Sequence, residues 1–166
     1  MAKAPKRSAS GGRGKPRLRI LWVGKTDKGF AEDGVQHYLK RLAPFADVEC
    51  EVIRAAQHSG REPAQALKTE AEALLRRIEP QESVALLDEH GREFTSVEWA
   101  RWIEARQPVT FVIGGAYGVH ESVKARAGQT VSLSRLTFPH QLVRVVLLEQ
   151  IYRAMTILHG HGYHHA

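Results

Sequence analysis

Residues 132–145, "SLSRLTFPHQLVRV", decide the fold of this chain because the backbone pattern changes abruptly within them. Polar and apolar residues alternate as far as Phe138, which indicates an extended segment, and a helical pattern follows Pro139. Proline suits the first turn of a helix because its missing N–H has no partner there anyway, and Thr137 is a candidate cap. This corner predicts a loop whose backbone donors and acceptors are not paired by a sheet.

The helix predicted after Pro139 is apolar on almost every side. Its broad apolar arc comprises Val143, Val145, Leu147, Leu148, Ile151, Tyr152, Met155 and Leu158. Leu142 and Val146 lie on the opposite side, so we expect one side to pack on the chain's own sheet and the other on a second copy in a symmetric dimer. Arg144 projects from the arc and needs a carboxylate, carbonyl or ligand partner; we favour a structural ion pair over a ligand contact.

Upstream of the corner, short apolar segments alternate with helical patterns. The segments expected to be strands are residues 18–24, 48–52, 83–88, 109–115 and 129–134. A turn is expected at residues 89–93, and Thr95 and Glu98 have the spacing of a capping box at a helix start. This order predicts an α/β fold with a mainly parallel sheet and helices on both faces.

A ligand pocket is expected where the predicted parallel strands end. Such sheets bind ligands outside the carboxyl ends of their strands. Those ends carry Gly24, Leu87-Asp88, Gly114-Gly115 and Ser134-Arg135. Backbone groups of the corner that follows are suited to an adenine edge, with Leu133, Leu136 and Phe138 as apolar walls.

The composition favours one compact domain over several. The chain has 166 residues, of which 43% are hydrophobic and 25% charged. Its apolar runs are broken well before the roughly 20 residues that a membrane span needs, so we expect no membrane segment. Cys50 is the single cysteine, which excludes a disulfide framework and favours a reducing, cytoplasmic compartment.

The positive charge of the chain is concentrated at its beginning. Residues 1–19 hold seven of the 24 basic residues and none of the 18 acidic ones, so the rest is close to neutral with 17 against 18. We expect residues 1–17 to be a disordered basic arm and residues 18–166 to be the folded domain. An arm of this kind either binds a polyanion, most plausibly RNA, or is a solvated segment without a specific partner.

Several of these stretches together carry a family resemblance. "FVIGGAYGV" at residues 111–119 is followed by "SLSRLTFPHQLVRVVLLEQIYRA" at 132–154 and by "GYHH" at 162–165. With the opening "WVGK" and the stretch "LLDEHG", this closely resembles the ribosomal RNA large subunit methyltransferase H family. That family consists of small members of the knotted SPOUT methyltransferases, and the likeness runs from about Leu18 to His165.

The resemblance implies a deep trefoil knot in the C-terminal half and a homodimer. It also implies that S-adenosylmethionine is the cofactor. Carried over by matching motif, the cofactor contacts would be Leu87, Gly114, Leu133, Ser134, Arg135, Leu136, Thr137 and Phe138.

The activity implied is methylation of N3 of a pseudouridine, pseudouridine-1915, in helix 69 of 23S rRNA within the assembled ribosome. The methyl group on a sulfonium is already activated, so no metal is required, but an imide proton must be removed. By this resemblance Tyr163 or His164 would orient or deprotonate the base, and Arg153 would contact RNA phosphate or the uracil carbonyls. The additional His159, His161 and His165 give an alternative of zinc or nickel binding, although an incidental metal affinity is the simpler interpretation.

Two other function classes remain open from the residues. One is a non-enzymatic RNA- or ribosome-binding α/β module, which the basic arm also suits; the other is a nucleotide- or metal-binding regulator. Neither needs Gly114, Gly115 and the corner in the same chain, whereas a methyltransferase needs them together.

Overall fold

The computed structural model describes residues 14–57 and 63–165. Within them, the strands are β1 Arg17–Val23, β2 Asp47–Ile53, β3 Ser83–Arg92, β4 Val109–Ile113 and β5 Gln129–Val131. The helices are α1 Phe30–Leu42, α2 Pro63–Leu75, α3 Ser96–Glu104, α4 Glu121–Arg126 and α5 His140–Leu158. The predicted arm falls mostly outside the described residues, and no described helix has the length and apolarity to cross a membrane.

The described strands form one parallel sheet in the order β2-β1-β4-β3-β5, which confirms the predicted α/β fold. Helices α1, α3 and α5 cover one face of this sheet, and α2 and α4 cover the other. The connections through α1 and α3 cross the sheet in one direction, and those through α2 and α4 cross it in the other. Because all such connections are right-handed, the two pairs of helices lie on opposite faces. The carboxyl ends of all five strands therefore meet at one edge.

Helix α3 begins where the sequence predicts. The Thr95 hydroxyl accepts a hydrogen bond from the backbone N–H of Glu98 at 3.3 Å, and the Glu98 carboxylate accepts one from the backbone N–H of Thr95 at 2.8 Å. This reciprocal pair satisfies two N–H groups that the helix leaves open, and the capping box is confirmed.

The turn predicted at residues 89–93 is wrong, because β3 continues through this stretch to Arg92. Its register with β5 is irregular, and Arg92 pairs with Val131. A Cβ on Gly91 would lie 2.6 Å from the backbone of Val131, so only glycine permits this close approach. Strand β5 is shorter than predicted and ends at Val131, after which the Ser132 N–H donates to the Arg92 carbonyl at 2.9 Å.

Helix α5 packs against the chain itself on more sides than predicted. It lies over the sheet between α1 and α3, and these two helices pack along its flanks, while the side that we assigned to a partner stays partly exposed. Gly34 of α1 allows the closest approach, since a Cβ there would lie 2.9 Å from the side chain of Val145. Leu142, Val146 and Ile157 are only partly buried. They form the apolar face of α5 that the rest of the chain does not fully cover.

Arg144 of α5 is completely buried. Its guanidinium donates to the Val23 carbonyl and to the Thr26 hydroxyl, both at 2.9 Å, and lies 5.1 Å from the ring centroid of Trp22. Among the described residues, no carboxylate oxygen lies within 4.0 Å of it, so the expected ion pair is wrong and a carbonyl is the partner. Burial lowers its pKa, opposed by the charge of Asp27. The arginine thus fixes the end of β1 against the beginning of α5.

Candidate active site

A cavity of about 250 Å³ lies at the carboxyl ends of β3, β4 and β5. Seven of the eight residues predicted to contact a cofactor line it: Leu87, Gly114, Leu133, Ser134, Leu136, Thr137 and Phe138. The eighth, Arg135, is exposed and is not among the lining residues. The corner and the glycine turn, which are 17 residues apart between Gly115 and Ser132, therefore form one site.

The turn after β4 forms one wall of the cavity and depends on two glycines. A Cβ on Gly114 would lie 2.8 Å from the Val119 side chain and 2.9 Å from the Gly118 carbonyl oxygen. Gly118 has φ of +81°, which favours glycine, and its N–H donates to the Gly115 carbonyl at 3.1 Å. The turn is folded so tightly on the strand end that main-chain atoms, with no side chain between them, approach the cavity.

The opposite wall is the corner itself. The Ser132 hydroxyl donates to the Ser134 carbonyl at 2.7 Å, and the Ser134 hydroxyl accepts from the N–H of Leu136 at 3.0 Å. Thr137 donates its hydroxyl hydrogen to the Glu89 carboxylate and does not cap α5, so that prediction is wrong. This hydrogen bond links the corner to the C-terminal part of β3.

Lining residues beyond the predicted cofactor contacts change the chemistry of the cavity. Asp88 and Glu89 add two carboxylates at the end of β3, and His140 and Val143 add the first turn of α5. The adjacency of Asp88 to Leu87 was the available signal, whereas Glu89 was assigned to a turn. The cavity combines apolar walls, backbone hydrogen-bonding groups and anionic oxygens, which suits a ligand with a flat ring, hydroxyl groups and positive charge.

A second group of functional candidates lies at the other end of α5. The Arg153 guanidinium donates to Glu149 at 2.5 Å and approaches the Nδ1 atom of His164 at 3.4 Å. The Tyr163 hydroxyl donates to the same Glu149 carboxylate at 3.0 Å. Burial, followed by the charge and hydrogen bond of Glu149, raises the pKa of Tyr163 to about 12. Arg153 and Tyr163 thus meet at one carboxylate, with His164 beside Arg153, and we call Glu149, Arg153, Tyr163 and His164 the tail cluster.

Aromatic rings and a second arginine support the tail cluster. The Tyr163 ring lies 4.7 Å from the Tyr152 ring, measured between centroids. Arg41 of α1 lies over both rings, 4.5 Å from the centroid of Tyr152 and 5.2 Å from that of Tyr163. Sequence reasoning missed Arg41 and Glu149; the i, i+4 spacing of Glu149 and Arg153 was a usable signal, but nothing in the sequence connects Arg41 to the tail.

The cavity and the tail cluster do not meet within one chain. Val143 lines the cavity, and Arg153 follows ten residues later on the same helix. At a rise of 1.5 Å per residue this places them about 15 Å apart along the helix axis. The structure therefore brings the predicted cofactor residues together and the predicted catalytic residues together, but in separate places.

Two of the additional histidines of the tail, His159 and His161, make protein contacts. The His159 Nδ1 atom lies 2.8 Å from the Met155 carbonyl oxygen, and the rings of His159 and His161 lie 5.1 and 6.1 Å from that of Phe45. In the described part of the chain, no three His, Cys, Asp or Glu side chains are placed to hold a metal ion.

Comparisons with known proteins agree on one family. A family profile described as "Predicted SPOUT methyltransferase" matches residues 17–164. The chain is 46% identical over 153 residues to the ribosomal RNA large subunit methyltransferase H of Anaeromyxobacter sp. strain Fw109-5, covering 89% of this chain and 99% of that protein. It is 43% identical over 152 residues to the protein of the same name from Gloeobacter violaceus, covering 90% and 99%.

The fold is also similar to solved structures. A probable methyltransferase from Bordetella pertussis Tohama I superimposes with a TM-score of 0.52 at 12% sequence identity, covering 84% of this chain and 95% of that one. At this identity the likeness supports the fold alone.

Proposed function

The chain belongs to the ribosomal RNA large subunit methyltransferase H family of SPOUT methyltransferases, and from this premise we propose that it methylates N3 of a pseudouridine in helix 69 of 23S rRNA. It is an S-adenosylmethionine-dependent rRNA methyltransferase by family. The single observation that carries the proposal is the cavity in which the Gly114 turn faces the 132–138 corner. A purely RNA-binding module would not need this cavity.

The lining of the cavity fits S-adenosylmethionine. Leu133 and Phe138 offer apolar contact to a purine ring, and backbone groups of the corner suit its polar edge. The carboxylates of Asp88 and Glu89 suit ribose hydroxyls and the positively charged portion of the molecule. When bound, the cofactor supplies a methyl group that its sulfonium has already activated.

The tail cluster suits the remaining task, which is to orient the base and remove the N3 proton. Because its pKa is about 12, Tyr163 stays protonated at neutral pH and acts as a hydrogen-bond donor rather than a base. Arg153 donates to Glu149 and keeps that carboxylate in place. The Nδ1 atom of His164 faces the Arg153 guanidinium across a long contact of 3.4 Å, and we assign proton acceptance to the His164 imidazole.

We further propose a symmetric homodimer in which the tail cluster of one protomer faces the cavity of its partner. The separation of about 15 Å along α5 prevents one chain from assembling both halves of the site. Leu142, Val146 and Ile157 provide a partly buried apolar face on the same helix, and a two-fold axis would pair that face with itself. The trefoil knot implied by the family stays a prediction.

Substrate recognition is proposed to depend on local patches and on the ribosome rather than on net charge. The body of the chain is nearly neutral, so the exposed Arg135 and the basic residues 1–17 would add affinity for rRNA in the cytoplasm. Assembled ribosomes present helix 69 in a fixed position, which lowers the affinity that the enzyme itself must provide.

The test is methyl transfer from radiolabelled S-adenosylmethionine to ribosomes that lack the modification. We expect label in 23S rRNA, located by mass spectrometry at N3 of a helix 69 pseudouridine, and none on ribosomes that are already modified. Free 23S rRNA is the control for the requirement for assembly. Label at another nucleotide would contradict the target. Absence of S-adenosylmethionine binding in calorimetry, with or without ribosomes, would favour the RNA-binding module.

A further inference from the structure

We propose that Arg41 is an RNA-phosphate contact beside the tail cluster, in the anion-binding role that the sequence analysis gave to Arg153. The inference rests on the proposed function, since it assumes an RNA substrate. It concerns a residue that no sequence motif marked and that lies on α1, far along the chain from the tail.

The charge of Arg153 is already balanced inside the protein. Its guanidinium lies 2.5 Å from a Glu149 oxygen, and both side chains are largely shielded, with 26% and 17% of their surfaces exposed. To bind a phosphate, Arg153 would have to share or leave this carboxylate, whose own charge repels the phosphate. Its geometry instead suits the placement of Glu149, Tyr163 and His164.

Arg41 differs because it has no such partner. Among the described residues, no carboxylate lies within 4.0 Å of its guanidinium. Its hydrogen bond goes to a neutral group, the hydroxyl oxygen of Tyr152 at 3.1 Å. An arginine has five N–H donors, so most of those on Arg41 are left for an anion.

Arg41 is also held in place before any ligand arrives. Its guanidinium stacks over the rings of Tyr152 and Tyr163, and Tyr152 is itself only 4% exposed and part of the core. An arginine fixed by ring contacts and one hydrogen bond loses little side-chain freedom on binding, which favours affinity. Because the residue is exposed, a phosphate can reach it without moving the tail cluster.

The experiment compares Arg41→Gln with Lys40→Gln in the full chain. Lys40 is the preceding residue of the same helix and is also exposed, so both variants lose one positive charge. Binding to unmodified ribosomes is measured over a salt series. For Arg41→Gln we expect about tenfold weaker binding at ~0.1 M salt and a slope of log affinity against log salt that is smaller by about 1. Lys40→Gln should match the wild type, and Arg41→Lys should recover the slope.

Calorimetry with S-adenosylmethionine and the mass of the protein in solution provide readouts that should not change in Arg41→Gln. An unchanged salt slope, or an equal change in Lys40→Gln, would overturn the proposal. A shift of Arg41→Gln from dimer to monomer would also overturn it, since Arg41 would then pair with a partner carboxylate. If the wild type binds no ribosomes and transfers no methyl group, the proposed function fails instead.

Discussion

The two ends of α5 are built on different principles. At its beginning, the cavity is formed by strand ends, glycines and backbone groups of the 132–138 corner. At its end, the tail cluster is formed by charged and aromatic side chains that hydrogen-bond to one another. The first region suits the binding of one small molecule of fixed structure, the cofactor. The second suits chemistry on a base of the RNA substrate. Under the proposed function, cofactor binding would depend on chain geometry, whereas base activation would depend on individual functional groups.

The largest effect is expected where backbone geometry is disturbed. In Gly114→Val, the new side chain would collide with Val119 and the Gly118 carbonyl, forcing the turn away from the strand at a cost of about 1–3 kcal/mol. We expect calorimetry to detect no S-adenosylmethionine binding and methyl transfer to be lost. Gly128→Ala is the control, because its Cβ would meet only the Val84 carbonyl oxygen, at 3.8 Å. Retained cofactor affinity in Gly114→Val would show that the turn after β4 does not form the cofactor site.

A smaller effect is expected from removal of one group in the tail cluster. In His164→Ala, the loss of a proton acceptor should lower kcat by about 10²–10⁴-fold while cofactor affinity stays at the wild-type value. Single-turnover methylation of ribosomes measures the first quantity and calorimetry the second. His161→Ala serves as the matched tail variant, since His161 contacts Phe45 outside the cluster. A parallel loss of cofactor binding in His164→Ala would mean that the two regions are not separate in function.

Mixing the two defective proteins tests whether the cavity and the tail cluster of one site belong to different protomers. If each site takes its cavity from one protomer and its tail cluster from the other, a mixed dimer of Gly114→Val and His164→Ala contains one intact site. Random exchange of subunits should restore about a quarter of the wild-type activity. The measurement is methyl transfer after incubation of the two variants together, compared with each alone. Activity that stays at the level of the separate variants would indicate that each chain acts by itself.

The smallest effect is expected from pH. The folded-state pKa of Tyr163, about 12, lies above its ordinary value of 10.0, so the folded chain holds this proton more tightly. The stabilisation is fully present below pH 10 and is lost as the pH rises towards 12. Wild type should therefore lose more stability than Tyr163→Phe over this interval in denaturant unfolding. Gly128→Ala, which leaves the cluster intact, should follow the wild type, and identical curves for Tyr163→Phe and wild type would contradict the expectation.

Local signals gave good predictions where neighbours in sequence are also neighbours in space. The capping box of Thr95 and Glu98 and the alternation of strands with helices needed only residues close together in the chain. The cavity was predictable in outline because parallel strands must end at one edge. Arg135 does not line the cavity, and its predicted cofactor contact stays a prediction, since alternation in an irregular loop does not fix the direction of each side chain.

Periodicity and glycine placement act over a few residues, so the amino-acid sequence predicts most of the elements, their parallel arrangement and the strand ends where the cavity lies. The partners of long side chains are fixed only by the packing of the whole chain. Arg144 donates a hydrogen bond to the Val23 carbonyl, which is 121 residues away in the sequence. Arg41 donates one to the Tyr152 hydroxyl, at a separation of 111 residues. A flexible side chain reaches many groups, and packing of the whole chain determines which one lies within hydrogen-bonding distance.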